Sequence, residues 1–303
     1  FDLNNSTDKV TGGDLYIGDG TNTGTLSVTE GTIDAGANVN VGAGSSLDLK
    51  GGTVSLDSKD IINGGINVAN GTINLDNAEK ATTATFVQNG GTTNISGDSF
   101  VLNNTSDAIN NGNLNIGNDG GSGTLTLRGG SVASETDVNI AAGSEVDIKS
   151  GSMSLDSNDT WTGNVNVQGG TLNVKNTDKT GALTQTDGTI NVSGNAFDLN
   201  SSEDLLDGGT LNIGNGSVAS TLTVSNGTIT RNEDVYINSY SNMNINGGNV
   251  TLDSTDNWSG NVNMTEGDLS LEEVSKSSSG IFHQTGGDTV VTGRTFDLNN
   301  DLD

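Results

Sequence analysis

The stretch TLSVTEGTI, Thr25 to Ile33, decides the fold, and SLDLKGGTVSL, Ser46 to Leu56, repeats its pattern. In the first, Leu26 and Val28 alternate with polar residues before Gly31, and Ile33 follows it. In the second, Leu47 and Leu49 precede Gly52, and Val54 and Leu56 follow. Alternation with a period of two marks strands that bury one face. The glycine, commonly preceded by Gly, Asn or Asp, supplies the backbone of a tight corner between two such strands.

Outward from these two stretches the corner recurs at Gly13, Gly31, Gly52, Gly71, Gly91, Gly112, Gly130, Gly151, Gly170, Gly188, Gly209, Gly227, Gly248, Gly267 and Gly287, with gaps of 18 to 21 residues. The residue two after the glycine is apolar in 13 of the 15 cases and the residue three before it in 12, so both positions belong to one buried face. A third short strand precedes each pair, as at Val39 to Val41, Val138 to Ile140 and the FDL strings. Three strands in about 20 residues, with apolar positions in register from coil to coil, predict an all-β parallel β-helix solenoid. Neighbouring coils ~4.8 Å apart would make 15 coils a rod on the order of 70 Å long. The alternative is an antiparallel meander, because Gly-Gly, Asn-Gly and Asp-Gly are also hairpin turns, but a meander has no reason to group strands in threes.

A longer period contains the short one. FDLNN at Phe1 returns as FVLNN at Phe100, FDLNS at Phe197 and FDLNN at Phe296, which divides the chain into repeats 1–99, 100–196 and 197–295 and the start of a fourth at 296–303. One continuous solenoid over 1–303 is expected. Phe1-Asp2-Leu3 lacks the basic start and apolar run of a signal peptide, so the segment reads as part of something longer. Its end coils would expose strand edges, so the expected partners are further copies of the repeat or end-to-end self-association.

The exceptions to the apolar pattern keep the long period. Gln88, Gln185 and Gln284 occupy one coil of successive repeats, and Asp8, Asp107 and Asp204 occupy another. The expectation is that each satisfies local backbone, because a buried polar group persists only when bonded.

Composition restricts the chemistry. With no Cys and one His, thiolate catalysis, disulfides, Cys-based metal centres and multi-histidine sites are excluded. A net charge of −27 makes nucleic acid and anionic membrane surfaces poor partners, and no stretch approaches the ~18 apolar residues of a membrane span. His283 aligns with Val87 and Thr184 in the other copies and reads as a surface residue. Lys9, Lys50, Lys80, Lys149 and Arg128 look scattered, with no acidic constellation recurring beside them in all three copies, so no catalytic residue is assigned and the chain is expected not to be an enzyme.

Two further features were weighed. The LDSxD strings place Asp57 and Asp60, Asp156 and Asp159, and Asp253 and Asp256 three residues apart, where hard oxygen ligands for calcium could converge, although Asp-Ser is also an ordinary turn sequence. No other cofactor is expected. Trp161 and Trp258, aligned with Ile62, read as coil caps or loop packing, with sugar-binding platforms as the alternative. The Asn-x-Ser/Thr triplets at Asn94, Asn191 and Asn249 follow from composition and are no evidence of glycosylation.

The pattern T-L-x-V-x-x-G-T-I, in TLSVTEGTI and in TLTVSNGTI from Thr221, resembles the passenger segments of bacterial autotransporters and filamentous-haemagglutinin-type adhesins. That resemblance implies a right-handed β-helix in a large secreted or surface-exposed bacterial protein, acting in adhesion, biofilm or surface-layer formation, with cell-surface glycans or a host surface as further partners. A structural or adhesive repeat is therefore the expected function. The alternative is a carbohydrate-active β-helix, a polysaccharide lyase, glycosidase or lectin.

Overall fold

Strand Thr72–Asp76 shows how the alternation becomes structure: Ile73 and Leu75 are fully buried, while Thr72 and Asn74 are half-buried on the outer surface. Its neighbours Thr53–Asp57 and Thr92–Leu102 pair with it in parallel, and Ile73 lies opposite Val54 on one side and Thr93 on the other. The computed structural model describes residues 1–117, 121–293 and 296–303. Among these there is no helix, and the parallel strands stack as a β-solenoid of about 14 turns. Two compact units, Phe1–Met153 and Ser154–Asp303, are each built this way.

Each turn contributes three strands to three faces. In the first unit one turn runs Ser46–Leu49, Thr53–Asp57, Ile61–Ile62, and the next runs Gly65–Val68, Thr72–Asp76 and a single bridging residue, Lys80, against Ile62. Inward residues form ladders up each face. One reads Leu3, Val28, Leu49, Val68, Gln88, Ile109, Val132 and Met153, each paired with the next. At ~25 cal/mol per Å2 such ladders supply the main stabilising term, while the backbone bonds between turns satisfy the polar groups.

That ladder also corrects the count of 15 coils. Val28, Leu49, Val68, Gln88 and Ile109 stand three residues before a corner glycine, but Val132 and Met153 stand two residues after one. The pattern has moved by one face. The reason lies between Gly13 and Gly31, and again between Gly112 and Gly130, where part of the spacing is spent on a loop outside the sheets, so 18 residues complete two strands instead of three. In the second unit the same step recurs, with Leu206 before its glycine paired to Ile229 after the next. The first repeat holds 14 strand positions, counting the bridge at Lys80 and residues 92–96, which is four and two-thirds turns. Residues equivalent in sequence therefore occupy successive faces.

The corners need glycine because turns approach each other there. Gly91 has φ 74°, and a Cβ on it would come 2.6 Å from the carbonyl oxygen of Gly71. On the outer surface, Asn side chains add a second ladder. Asn94 Nδ2 donates to Asn74 Oδ1 at 2.8 Å and Asn115 Nδ2 to Asn94 Oδ1 at 2.8 Å, with Asn191 to Asn173 and Asn212 to Asn191 repeating it in the second unit. Asn94 and Asn191 are thus parts of this bonding.

Candidate functional site: the recurring buried polar residues

The LDSxD strings form capped turns. Asp60 N–H donates to Asp57 O, Asp60 Oδ2 accepts from Asp57 N–H at 2.6 Å, and Asp60 Oδ1 accepts from Val39 N–H of the preceding turn at 2.6 Å. Asp57 Oδ1 accepts from Lys59 N–H at 2.8 Å. Asp253 and Asp256 repeat every bond, with Val235 in the place of Val39, and Asp156 and Asp159 repeat the turn. These carboxylates tie one turn to the next by spending their lone pairs on backbone donors, the turn-capping role.

The same device carries the Asp107 series, with one addition. Asp107 Oδ2 accepts from Asn104 N–H at 2.9 Å and Oδ1 from Phe86 N–H at 2.8 Å, and Oδ2 also meets Lys80 Nζ at 2.7 Å. Lys179 with Asp204 at 2.5 Å and Lys276 with Asp303 at 2.7 Å are its copies, and in all three pairs the side chains are sealed from solvent or nearly so. The lysines are therefore not scattered. Lys80, Lys179 and Lys276 recur at separations of 99 and 97 residues, matching the FDLNN strings. Variable flanking residues, NAE before Lys80, NTD before Lys179 and EVS before Lys276, hide the recurrence, and the partner is about 25 residues away. Each lysine also donates to the first Asn after the FxL string: Lys80 Nζ to Asn103 Oδ1 at 2.6 Å, Lys179 to Asn200 at 3.2 Å and Lys276 to Asn299 at 2.8 Å. A third acceptor is a nearby carbonyl, that of Ala84, Gly181 or Gly280. All three ammonium protons have acceptors, which is the condition for burying a charge. Asp8, equivalent to Asp107, is half-buried and accepts from Asn4 and Asn5 N–H groups.

The glutamines satisfy the corner they sit beside. Gln88 Nε2 donates to the carbonyls of Gly91, Asn111 and Asn113, and Thr93 Oγ1 donates to Gln88 Oε1 at 2.6 Å. Gln284 repeats the arrangement with Gly287 and Thr289. Thr93 and Thr289 are the two breaks in the apolar position after the corner, so the breaks occur as pairs. In the middle repeat Ile190 replaces the threonine, and Gln185 Oε1 is left buried without a partner.

Trp161 and Trp258 are 1% exposed, and their Nε1 atoms donate to Gly163 and Gly260 carbonyls. They pack inside on Phe197 at 6.1 Å and Phe296 at 5.5 Å, which is interior packing and leaves no platform for a sugar. His283 is exposed on strand Ile281–Gln284, as its alignment suggests.

Sequence reading missed one group, Glu233, fully buried where the other repeats have Ala37 and Thr136. Oε2 accepts from Gly208 N–H at 3.2 Å, and Oε1 has no partner. Burial pushes its carboxyl up to about 8, with the charges of Asp234, Asp256 and Asp207 adding to the effect. Burial likewise raises Asp256 to about 7 against the bonds from Val235 and Asp253. An acid raised on folding stabilises most below its unfolded value, here 4.5 for Glu and 3.8 for Asp, and that stability is lost as pH rises toward 8. The second unit should therefore melt at a lower temperature at pH 8 than at pH 5, and Glu233→Gln should flatten that dependence. Equal slopes for the parent and the variant in calorimetric scans would contradict this.

Among the described residues no group of three His, Cys, Asp or Glu side chains has the arrangement of a metal site, and no helix is long and apolar enough to cross a membrane. Comparison with protein-family models, with curated proteins and with solved structures returned no match. By its own geometry the chain is a parallel β-solenoid repeat protein.

Proposed function

We propose that this chain is a structural or adhesive repeat segment of a large secreted or surface-exposed bacterial protein, a stiff stalk or fibre that carries binding regions away from the cell. One observation supports the reading above others: the polar side chains that recur with the repeat, the Lys–Asp pairs, the Gln–Thr pairs and the Asp-capped turns, are bonded from one turn to the next and not gathered around a cleft. A catalytic centre gains nothing from repetition along a solenoid, whereas a spacer gains length with each copy. The net charge of −27 keeps such a fibre soluble and resists lateral association, so attachment to an anionic glycan would run through divalent cations such as calcium. Further copies of the repeat, end-to-end contacts, or cell-surface glycans are the partners this role implies.

The carbohydrate-active alternative has one feature in its favour, an open groove in the second unit where Arg231 stands 3.7 Å from Glu272 beside Asp253 and Glu273. The purified chain, assayed on a panel of polysaccharides with and without calcium and in cell-binding measurements, separates the readings. Calcium-dependent attachment without depolymerisation is expected. Cleavage of any glycan that disappears in Glu272→Gln would replace the stalk with an enzyme, and tight calcium-independent binding to one glycan would replace it with a lectin.

A further inference from the structure

The three buried triads bring together an amine, a carboxamide and a carboxylate, each fixed by other bonds. Lys80 Nζ lies 2.6 Å from Asn103 Oδ1, and because a carbonyl bond is ~1.2 Å long, Asn103 Cγ is within about 3.8 Å of the amine. The amide is held in that orientation at its other end, since Asn103 Nδ2 donates to Lys80 O at 3.4 Å and Asn200 Nδ2 to Lys179 O at 2.8 Å. The carboxylate touches the same amine and is clamped by two backbone N–H groups. Aromatic rings make the surroundings apolar: Phe86 and Phe100 pack at 5.3 Å beside the first triad, and the Trp161 ring lies 6.0 Å from Lys179 Nζ in the second.

We propose that the triads are sites of intramolecular amide formation, in which Lys80, Lys179 and Lys276 become joined through Nζ to Cγ of Asn103, Asn200 and Asn299 with release of ammonia. The reaction begins when the aspartate takes a proton from the ammonium, leaving a neutral amine and a neutral acid. An apolar, sealed pocket favours that pair over two charges. Burial holds Lys80 and Lys179 below the usual lysine range against the opposing pull of their aspartates. The Nζ lone pair then adds to Cγ, and the carbonyl electron pair moves to Oδ1. The aspartic acid gives its proton to Nδ2 and its carboxylate accepts one from Nζ. As the carbonyl re-forms, the Cγ–Nδ2 bond breaks and ammonia leaves, taking the remaining proton from the aspartic acid as ammonium. One amide replaces another, so no oxidant, reductant or metal is required. The proximity of three fixed groups lowers the barrier by converting encounter into a unimolecular step.

The asparagine is the acyl partner because its amide carbon is free to change substituent. The aspartate would have to surrender both backbone caps to lose an oxygen. The product would link consecutive turns covalently, which in a chain with no Cys supplies the constraint that disulfides give elsewhere. The inference stands independently of the adhesive reading.

Mass spectrometry of the full, denatured chain tests it. The expected mass is lower than that of the sequence by three ammonia molecules, and peptide maps should join the Lys80, Lys179 and Lys276 peptides to those of Asn103, Asn200 and Asn299. Asn200→Ala keeps the ion pair of Lys179 with Asp204 and should reduce the deficit by one ammonia. A parent chain at full sequence mass would overturn the proposal, as would an unchanged deficit in Asn200→Ala. A deficit of water, with bonds to Asp107, Asp204 and Asp303, would overturn the assignment of asparagine.

Discussion

Ile73→Asp should destabilise the first unit by on the order of 4 kcal/mol, because it places a carboxylate at a fully buried position whose ladder neighbours, Val54 and Thr93, offer no charge partner. The interior is only a few side chains wide, so water cannot reach the new group without opening the turn. Ile61 lies in the preceding turn but is 51% exposed, and Ile61→Asp should shift stability by no more than about 0.5 kcal/mol. Chemical denaturation of both variants beside the parent makes the comparison. The damage should remain local, since each turn contacts mainly its neighbours. Equal midpoints for Ile73→Asp and the parent would mean that the ladder is assigned to the wrong face.

Asp107→Ala should cost about 3–5 kcal/mol, the range for breaking one partner out of a buried ion pair. It removes the counter-charge of Lys80 and also the acceptor of the Phe86 and Asn104 N–H groups, leaving three donors short of partners. Lys80→Met is the informative contrast. It leaves Asp107 with both backbone donors, and the methionine can fill the space with an apolar chain, so its cost should be clearly smaller. A larger loss for Lys80→Met than for Asp107→Ala would show that the lysine, and not the doubly capped aspartate, holds the two turns together.

The fold was legible because its main term is local and periodic. Leu26, Val28 and Ile33 declare their shared face through spacing alone, and the same spacing recurs at Leu47, Leu49 and Val54. What the spacing could not carry is the phase of the repeat. The interval from Gly13 to Gly31 has the length of a turn in residues but includes a loop, so it completes only two faces, and nothing in residue count separates a loop residue from a strand residue. The polar exceptions were legible as positions but not as partners. Gln88 and Thr93 are five residues apart and could be matched by their joint departure from the pattern, whereas Lys80 and Asp107 belong to adjacent turns and meet only once the coils stack. Glu233 gave no signal at all, because it occupies a position that the other repeats fill with Ala37 and Thr136.

Engineered cysteine pairs test the central claim, that each repeat advances the solenoid by one face and that the recurring polar residues hold that step. The chain has no cysteine of its own, so any disulfide is the engineered one. Val87 and Ala108 are direct neighbours on adjacent turns across the junction of the first two repeats, at the ~4.8 Å spacing of paired strands, which falls inside the Cα separation a disulfide accepts. Val101, the residue that would lie beside Val87 if each repeat began again on the same face, is instead paired with Thr126. Val87→Cys with Ala108→Cys should oxidise to an internal disulfide in the folded chain, and Val87→Cys with Val101→Cys should remain as free thiols. The opposite result, a disulfide from the second pair and none from the first, would contradict the step and with it the account of the residues that hold it.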